Sequence, residues 1–510
     1  MEAVMSILKF LGILFLVLTV FNLLIVVHEW GHFLAARWRG LRIDRFQIWF
    51  GKPIWKKTYN GVQYGLGSVP FGGFVALPQM APMEAIEGRN REEGEPESEE
   101  DAPETQEPLP PISPLDKIIV AFAGPLFSFL LAVFFALIIW AVGKPVPDAA
   151  MAREVGYVAT DSPAAKGGIL PGDTILEVDG KPVETIHGMV NSMDWYIISA
   201  EKSDLEFTIQ RSGEELKKTV SIPSGKTPEE KAEDAKRKWW EVARDFVFKR
   251  PPLPDVGIFG RETPRVGDVK PNSPAEEAGI EKADLIVGVD GQEVRHLIQV
   301  SDAIEKKAEG APVEISIKRG NAEKTVSVVP RRPEKDTRPE EFRRPAIGLV
   351  WDTFGKGELK RIDPVTQIGD SLAMIRNTLG AIFSPKTKVG ATHLSSAVGI
   401  MRVYYRLFEH PDGWRLVLWF SVILNVNLAV LNMLPFPVLD GGHIVMAAIE
   451  SIRRKPVNLK ILEVVQTAAV ICLLTLMGVL VLKDVGDLTA GGPSAVVEFL
   501  PKDSATPAVP

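Results

Sequence analysis

Four stretches of this chain carry no charged residue and are long enough to cross a lipid bilayer: Phe10–Val27, Ile118–Gly143, Leu416–Leu439 and Val464–Leu482. A bilayer's hydrocarbon core is about 30 Å thick, a distance that roughly 20 apolar residues span as a helix. The runs therefore predict four transmembrane helices. The first is too long for a signal peptide, and the polar residues after it offer no clear cleavage site. Positive charge sets the orientation. Arg37, Arg39, Arg42, Arg45, Lys52, Lys56 and Lys57 follow the first run, and Arg453, Arg454, Lys455 and Lys460 separate the third from the fourth. Both connections are expected in the cytoplasm, which leaves both termini and the large middle region outside.

A chain of 510 residues exceeds what one core organises, so several domains are expected. The net charge of −7 is mild and its acidic excess is concentrated in Glu84–Glu107, a pattern that does not fit a nucleic-acid binder. The only cysteine, Cys472, lies within the fourth apolar run, which excludes an internal disulfide and a cysteine-based metal site.

The apolar runs and their surroundings divide the chain. Residues 1–37 are assigned to the first membrane helix and 38–83 to a glycine-rich region of short strands, in which Phe46, Ile48 and Phe50 alternate, as do Val62, Tyr64 and Leu66. Residues 84–114 are acidic and proline-rich and read as a solvated linker. The second membrane helix takes 115–143. The third takes 413–445 and ends in NMLPFPVLDGGHIV, and the fourth takes 460–483, before a tail over 484–510. Between the second and third spans, SPAAKGGILPGDTILEVDGKPV (162–183) matches SPAEEAGIEKADLIVGVDGQEV (273–294) at 11 of 22 positions with a constant offset of 111. That spacing fits two copies of one small domain, over 150–225 and 256–332. In each copy a strand led by Gly156 or Gly267 precedes a Ser-Pro-Ala helical turn, and a second strand ends in an Asp-Gly hairpin turn.

This grammar resembles PDZ domains of bacterial proteases, which implies an open sheet edge able to hold an extended peptide. Acting only as a steric filter is the alternative role. In the second copy Ala283 replaces Gly172, and an altered turn is expected there. The 226–255 segment contains an amphipathic helix over Glu229–Phe248, whose Trp239 and Trp240 are expected to pack between the modules. Residues 333–412 end in apolar residues at helical spacing, expected as interfacial helices on the outer surface.

The chemistry lies where the first run ends, in VVHEWGHFLAA (Val26–Ala36). Ionisable groups at membrane depth are costly and need partners. On a helix His28 and His32 project from one face, close enough to share a metal ion, and Glu29 beside them can accept a proton from water. A catalytic zinc site takes three protein ligands. The other cytoplasmic-side motif offers Asp440 and His443, and spacing alone does not choose between them.

HEWGH with a distant NMLPFPVLDGG resembles the site-2 proteases, and the tandem modules resemble their regulator of sigma-E protease branch. The resemblance covers nearly the whole chain. It implies a multi-domain membrane protein: a four-transmembrane-helix metalloprotease core, a membrane-associated β-hairpin region and two inserted PDZ-like domains of β-rich α+β type. It further implies Asp440 as the third ligand of one zinc ion, Glu29 as the catalytic base, and Asn432, Gly65 and Gly67 as substrate-handling residues. The implied activity is hydrolysis of a peptide bond within the transmembrane segment of a membrane protein that an upstream protease has already trimmed, an anti-sigma factor or a signal-peptide remnant, in the bacterial inner membrane. The PDZ-like modules then filter substrates. Two departures stand out: a long acidic insertion over 84–107, and Ser396-Ala397-Val398 where the family has Ser-Gly-Pro. The rival reading, a non-enzymatic scaffold on a four-span anchor, gives no reason for HEWGH and LDG to occur together.

Overall fold

The computed structural model describes residues 2–80, 112–222, 237–307, 310–337, 343–352, 358–454, 459–490 and 497–499. The acidic linker expected over 84–114 falls almost wholly outside these residues, as do the start of the Glu229–Phe248 helix and most of the tail. The chain forms two units.

The first unit comprises Met1–Lys144, Arg361–Ile375 and Ser395–Asp484. Its frame is α1 (Glu2–Trp38), α2 (Pro114–Val142), α3 (Gly413–Asn432), α4 (Asp440–Arg453) and α5 (Leu459–Ala490). Among the described residues, four helices are long and apolar enough to cross a membrane: Val4–Trp38, Pro114–Val142, Gly413–Asn432 and Leu462–Leu488. Ser113 starts α2 by accepting a hydrogen bond from the Asp116 amide at 3.1 Å, with Pro114 at the first helical position, where a missing N–H costs nothing. Packed against α1, α3 and α4, α2 is tied to α4 by Lys117–Glu450 at 2.7 Å.

The third span departs from expectation. Residues 413–445 do not form one helix: α3 stops at Asn432, and a new helix begins at Asp440. Pro435 and Pro437 explain the break, since each lacks an amide proton and disfavours helical backbone in the residue before it. The LDG motif thus opens a helix of its own.

A four-stranded sheet follows α1: β1 (Arg45–Phe50), β2 (Trp55–Tyr59), β3 (Val62–Leu66) and β4 (Val69–Ala76), in the order β2-β3-β1-β4. β1 pairs with β3 in parallel, and the other neighbours are antiparallel, so this is not a simple run of hairpins. Phe46, Val75, Leu77 and Met80 bury their apolar sides against Phe33 and Ala36 of α1, which fixes the sheet to the HEWGH helix. The Ala397–Glu409 helix packs on α1 and α3, with Tyr404 fully buried and bonded to Ser421 at 2.7 Å. Where the family motif departs, Ser396 still caps this helix by accepting from the Val398 amide at 3.1 Å, and it donates to Asp484.

The second unit comprises Pro145–Lys360, Arg376–Leu394 and Val485–Pro510. The repeat appears as two similar modules. In the first, strands run in the order 214–221, 204–211, 174–178, 181–182; in the second, the order is 322–328, 313–319, 285–289, 292–293. Each also pairs its leading strand with a segment beyond its expected boundary: Val155–Val158 with Ile258–Gly260, and Val266–Val269 with Leu349–Trp351. The expected limits of 150–225 and 256–332 therefore each miss a closing strand. Each module also buries an aspartate under a two-pronged arginine contact. Arg211 reaches Asp173 at 2.6 and 2.8 Å, and Arg319 reaches Asp284 at 2.8 Å with both nitrogens. Burial pushes the Asp284 carboxyl up, but the Arg319 hydrogen bonds and charge outweigh it and hold the group below its ordinary range.

Two expectations fail in this unit. Trp239 and Trp240 sit on a helix over Trp239–Phe248 but are 76% and 51% exposed, so they are not packed between the modules. Nor does Ala283 alter the turn. It adopts φ +77 where Gly172 has φ +93, and its amide bonds to the Val266 carbonyl at 2.7 Å just as the Gly172 amide bonds to Val155. The hydrogen-bond register overrides the residue's preference, at a cost of about 1–2 kcal/mol for a left-handed non-glycine residue. Ala283→Gly should therefore stabilise the second module by up to about 1 kcal/mol, once the greater freedom of glycine in the unfolded chain is subtracted. Hydrogen exchange of the 266–290 segment measures this, and faster exchange in the variant would contradict it.

Candidate metal centre

The centre is built by two helices from opposite ends of the sequence. α1 carries His28 and His32 one turn apart on one face, and α4 presents Asp440 from its first turn. There the helix N-terminus favours a carboxylate. The seven-residue turn before α4 wraps tightly: a Cβ at Gly441 would overlap the Met433 and Leu434 carbonyls, and one at Gly442 the Phe436 carbonyl. The two glycines after Asp440 thus let the chain reverse close enough to bring the carboxylate back to α1.

The three residues are 6%, 2% and 7% exposed. His28 Nε2 lies 3.3 Å from His32 Nε2 and 3.3 Å from Asp440 Oδ2, and His32 Nε2 lies 3.4 Å from Asp440 Oδ1. Among the described residues, this is the one cluster of histidine, cysteine or carboxylate groups that could hold a metal ion. The far side of each ring is fixed by α2. His32 Nδ1 donates to the Val120 carbonyl at 2.8 Å, and His28 Nδ1 shares a hydrogen bond with Ser128 Oγ at 3.0 Å. A carbonyl can only accept, so the His32 proton sits on Nδ1 and the Nε2 lone pair faces the centre. Gly124 makes room for this ring, since a Cβ there would overlap it. These supporting groups left little trace in the sequence, apart from the Gly124-Pro125 step inside an apolar run.

The donor set fits zinc. Tetrahedral coordination with bonds of about 2.0–2.2 Å places ligand atoms roughly 3.3–3.6 Å apart; the two imidazole nitrogens are 3.3 Å apart, and each has a different Asp440 oxygen beside it, at 3.3 and 3.4 Å. Asn432, the last residue of α3, is also present: its Nδ2 donates to His28 Nε2 at 3.3 Å. Glu29 is half-buried and interacts electrostatically with His32, His28 and Asp440. His443 is buried one turn further along α4, but its ring is not among the converging ligand atoms.

Gly65 and Gly67 lie elsewhere. Gly65 is in β3, hydrogen-bonded between β1 and β2, and a Cβ at Gly67 would overlap the Trp49 and Phe50 carbonyls. Neither stands at a sheet edge, and the close approach of β1 accounts for the second. The strand that meets α1 is β4, an edge strand, where Gly73 approaches Glu29 Cγ and Ile25. Its neighbour β1 is tied to α1 by a contact the sequence did not announce. Trp49 Nε1 donates to Asn22 Oδ1 at 2.6 Å, while Asn22 Nδ2 donates to the Leu18 carbonyl at 2.7 Å. Trp49 occupies left-handed backbone at φ +68, where the register between β1 and β4 slips. Asn22 and Glu29 are seven residues apart, two turns along one helix face.

Residues 15–476 match the model of peptidase family M50. The chain is 28% identical over 498 residues to the regulator of sigma-E protease RseP of Escherichia coli, covering 91% of this chain and 96% of that protein. It is 27% identical over 484 residues to the protease RseP of Yersinia pestis, with the same coverage of each. Among solved structures, it is similar to a PDZ domain of an SdrC-like protein from Listeria innocua, 28% identical, covering 19% of this chain and 99% of that domain at a TM-score of 0.15. With the family model spanning most of its length, the chain belongs to peptidase family M50 and is a zinc metalloprotease of the membrane.

Proposed function

We propose that this protein cleaves a peptide bond inside the membrane-spanning segment of a protein already trimmed by another protease, with His28, His32 and Asp440 holding the zinc ion. The observation that carries the reading is the convergence of these side chains, from α1 and α4, on one buried point at the end of a helix fit to cross a bilayer. The scaffold alternative gives no account of that convergence. On this reading the positive flanks of the spans place the site toward the cytoplasm and the two modules outside.

Zinc in such a site supplies Lewis-acid polarisation of the scissile carbonyl and activation of water. Glu29 takes the proton from the attacking water and returns it to the leaving amine. Val120 and Ser128 hold the imidazoles in orientation, and Asn432 stands beside His28 to position the substrate. A helix in lipid has its peptide groups internally bonded, so the substrate must open locally. The free edge of β4, next to Glu29, can hold the opened segment by strand addition. The sheet's glycines at 65 and 67 then act on substrate only through β1 and β4.

The modules act as a filter on the outer side. Their mutual bonding supports this role: Tyr157 donates to Asp302 at 2.7 Å, and Arg261 bridges Glu154 and Glu293 at 2.9 Å.

His28→Ala, His32→Ala and Asp440→Ala should each abolish cleavage of a model transmembrane substrate and lower bound zinc, while His443→Ala retains most of the metal. Glu29→Gln should keep zinc and fold yet lose roughly 10²–10⁴-fold in turnover; full zinc in Asp440→Ala, or near wild-type turnover in Glu29→Gln, contradicts the assignment.

Trp49→Phe removes a hydrogen bond worth about 1 kcal/mol. It should lower kcat/KM by about fivefold, mainly through KM, with zinc content unchanged. An unchanged KM would separate the Asn22–Trp49 contact from substrate handling.

Deleting Gly156–Pro330 should admit an untrimmed substrate. The filter role fails if the deletion slows cleavage of trimmed substrate and still excludes the untrimmed one.

A further inference from the structure

The helix over Trp239–Phe248 is short, yet it presents a large exposed aromatic surface. Trp239 and Trp240 are 76% and 51% exposed, their rings meeting edge to face with centroids 6.0 Å apart. Phe248 and Leu253 beyond it are also exposed. Tryptophans in such numbers on a water-facing surface mark a contact site. Asp245 is paired with Arg237, Arg244 and Lys249, and Arg244 stands one turn after Trp240. The Lys238 amine lies 4.9 Å over the Trp240 ring, which sets a positive charge beside the aromatic pair.

The C-terminal end of this helix reveals what covers that surface. The Phe248 carbonyl is packed so closely on Gly486 that a Cβ there would overlap it. Arg250 Nε pairs with Asp487 at 2.8 Å, and the same guanidinium donates to the Thr392 and Leu394 carbonyls at 2.7 Å. Gly486 and Asp487 belong to the last turn of the fourth candidate span, Leu462–Leu488. The helix is thus pinned to the end of a helix long and apolar enough to cross a membrane. Ten residues extend only about 15 Å, and tryptophan partitions to this boundary layer, with its ring among the acyl chains and its N–H near the headgroups.

We propose that the Trp239–Phe248 helix lies on the bilayer surface at which the fourth span ends, with Trp239 and Trp240 inserted at the headgroup boundary and Lys238 facing lipid phosphate. The segment between the two modules is then a further membrane anchor, and its partner is the phospholipid bilayer. The inference rests on reading Leu462–Leu488 as a span.

The lone cysteine provides the test. The full chain is placed in nanodiscs of phosphatidylcholine and phosphatidylglycerol, with a nitroxide on Cys472, on Trp240→Cys or on Lys202→Cys, the last two in a Cys472→Ser background. Cys472 is exposed on the fourth span, and the Lys202 side chain is 71% exposed. At position 240, relaxation by oxygen relative to a water-soluble nickel chelate should be several-fold higher than at 202, and intermediate between 202 and 472. A label at 240 that matches 202 while 472 reports lipid overturns the proposal and leaves the span intact. One shielded from both reagents also overturns it, by showing that protein covers the pair. Nickel access at 472 would remove the span itself, and the proposal with it. A second measurement needs no cysteine: the emission lost in Trp239→Phe/Trp240→Phe should be a fraction that lipids brominated near the headgroup quench in the parent chain, in addition to the quenching of Trp30, Trp140 and Trp414 that persists in the variant. If that fraction is not quenched, the pair is not in the bilayer.

Discussion

Two imidazoles and a carboxylate meeting at 3.3–3.4 Å, each less than a tenth exposed, are the contact on which the first unit depends. Polar groups buried among apolar helices are costly unless they are paired. Here they are paired in every direction. Each histidine has its outer nitrogen bonded to α2 and its inner nitrogen turned to Asp440, so α1, α2 and α4 are locked together by groups that would otherwise oppose packing. A divalent cation among them would offset the carboxylate's charge and occupy both lone pairs.

Two deviations from regular structure make this contact possible. The proline-rich turn after Asn432 ends α3 and allows α4 to start with Asp440 aimed back at α1. The slip in β1 at Trp49 lets the sheet reach Asn22 while β4 lies against Glu29. The first adjoins Asp440 and the second contacts α1 two turns before Glu29, and irregular backbone in such places is sustained by surrounding contacts.

What was legible in the sequence follows the range of the interaction. The His28–His32 pair depends on one helical turn and could be read directly. The choice between Asp440 and His443 depends on how the chain enters α4, and spacing did not decide it. The two prolines that define that entry stand in an apolar run, whose length made a single span the simpler expectation. The modules' closing strands, Ile258–Gly260 and Leu349–Trp351, lie about 100 and 83 residues from their partners and outside the matched repeat, so no local pattern marks them. Ser128 and the Val120 carbonyl were equally silent, one being a small residue in a membrane run and the other not a side chain at all. The Trp239–Phe248 helix was found, but periodicity gives a helix's face and not what covers it.

The arrangement also bears on why such a centre would have a sheet beside it. A soluble protease meets substrates whose backbone is already accessible, whereas a membrane-spanning helix satisfies each of its peptide groups internally and gains nothing by exposing them to lipid. Opening even one turn leaves several donors and acceptors without partners, each costing a few kcal/mol. On the proposed reading, an edge strand beside Glu29 supplies partners for those atoms as they open. β4 has one side bonded to β1 and packs on α1 beside Glu29, so its remaining edge is a backbone surface next to the centre with that capacity. On the proposed reading, the Asn22–Trp49 contact sets where along α1 the opened segment is held, and therefore which peptide bond comes to Glu29. The substrate's sequence would then matter less for side-chain fit than for how readily its helix opens opposite β4.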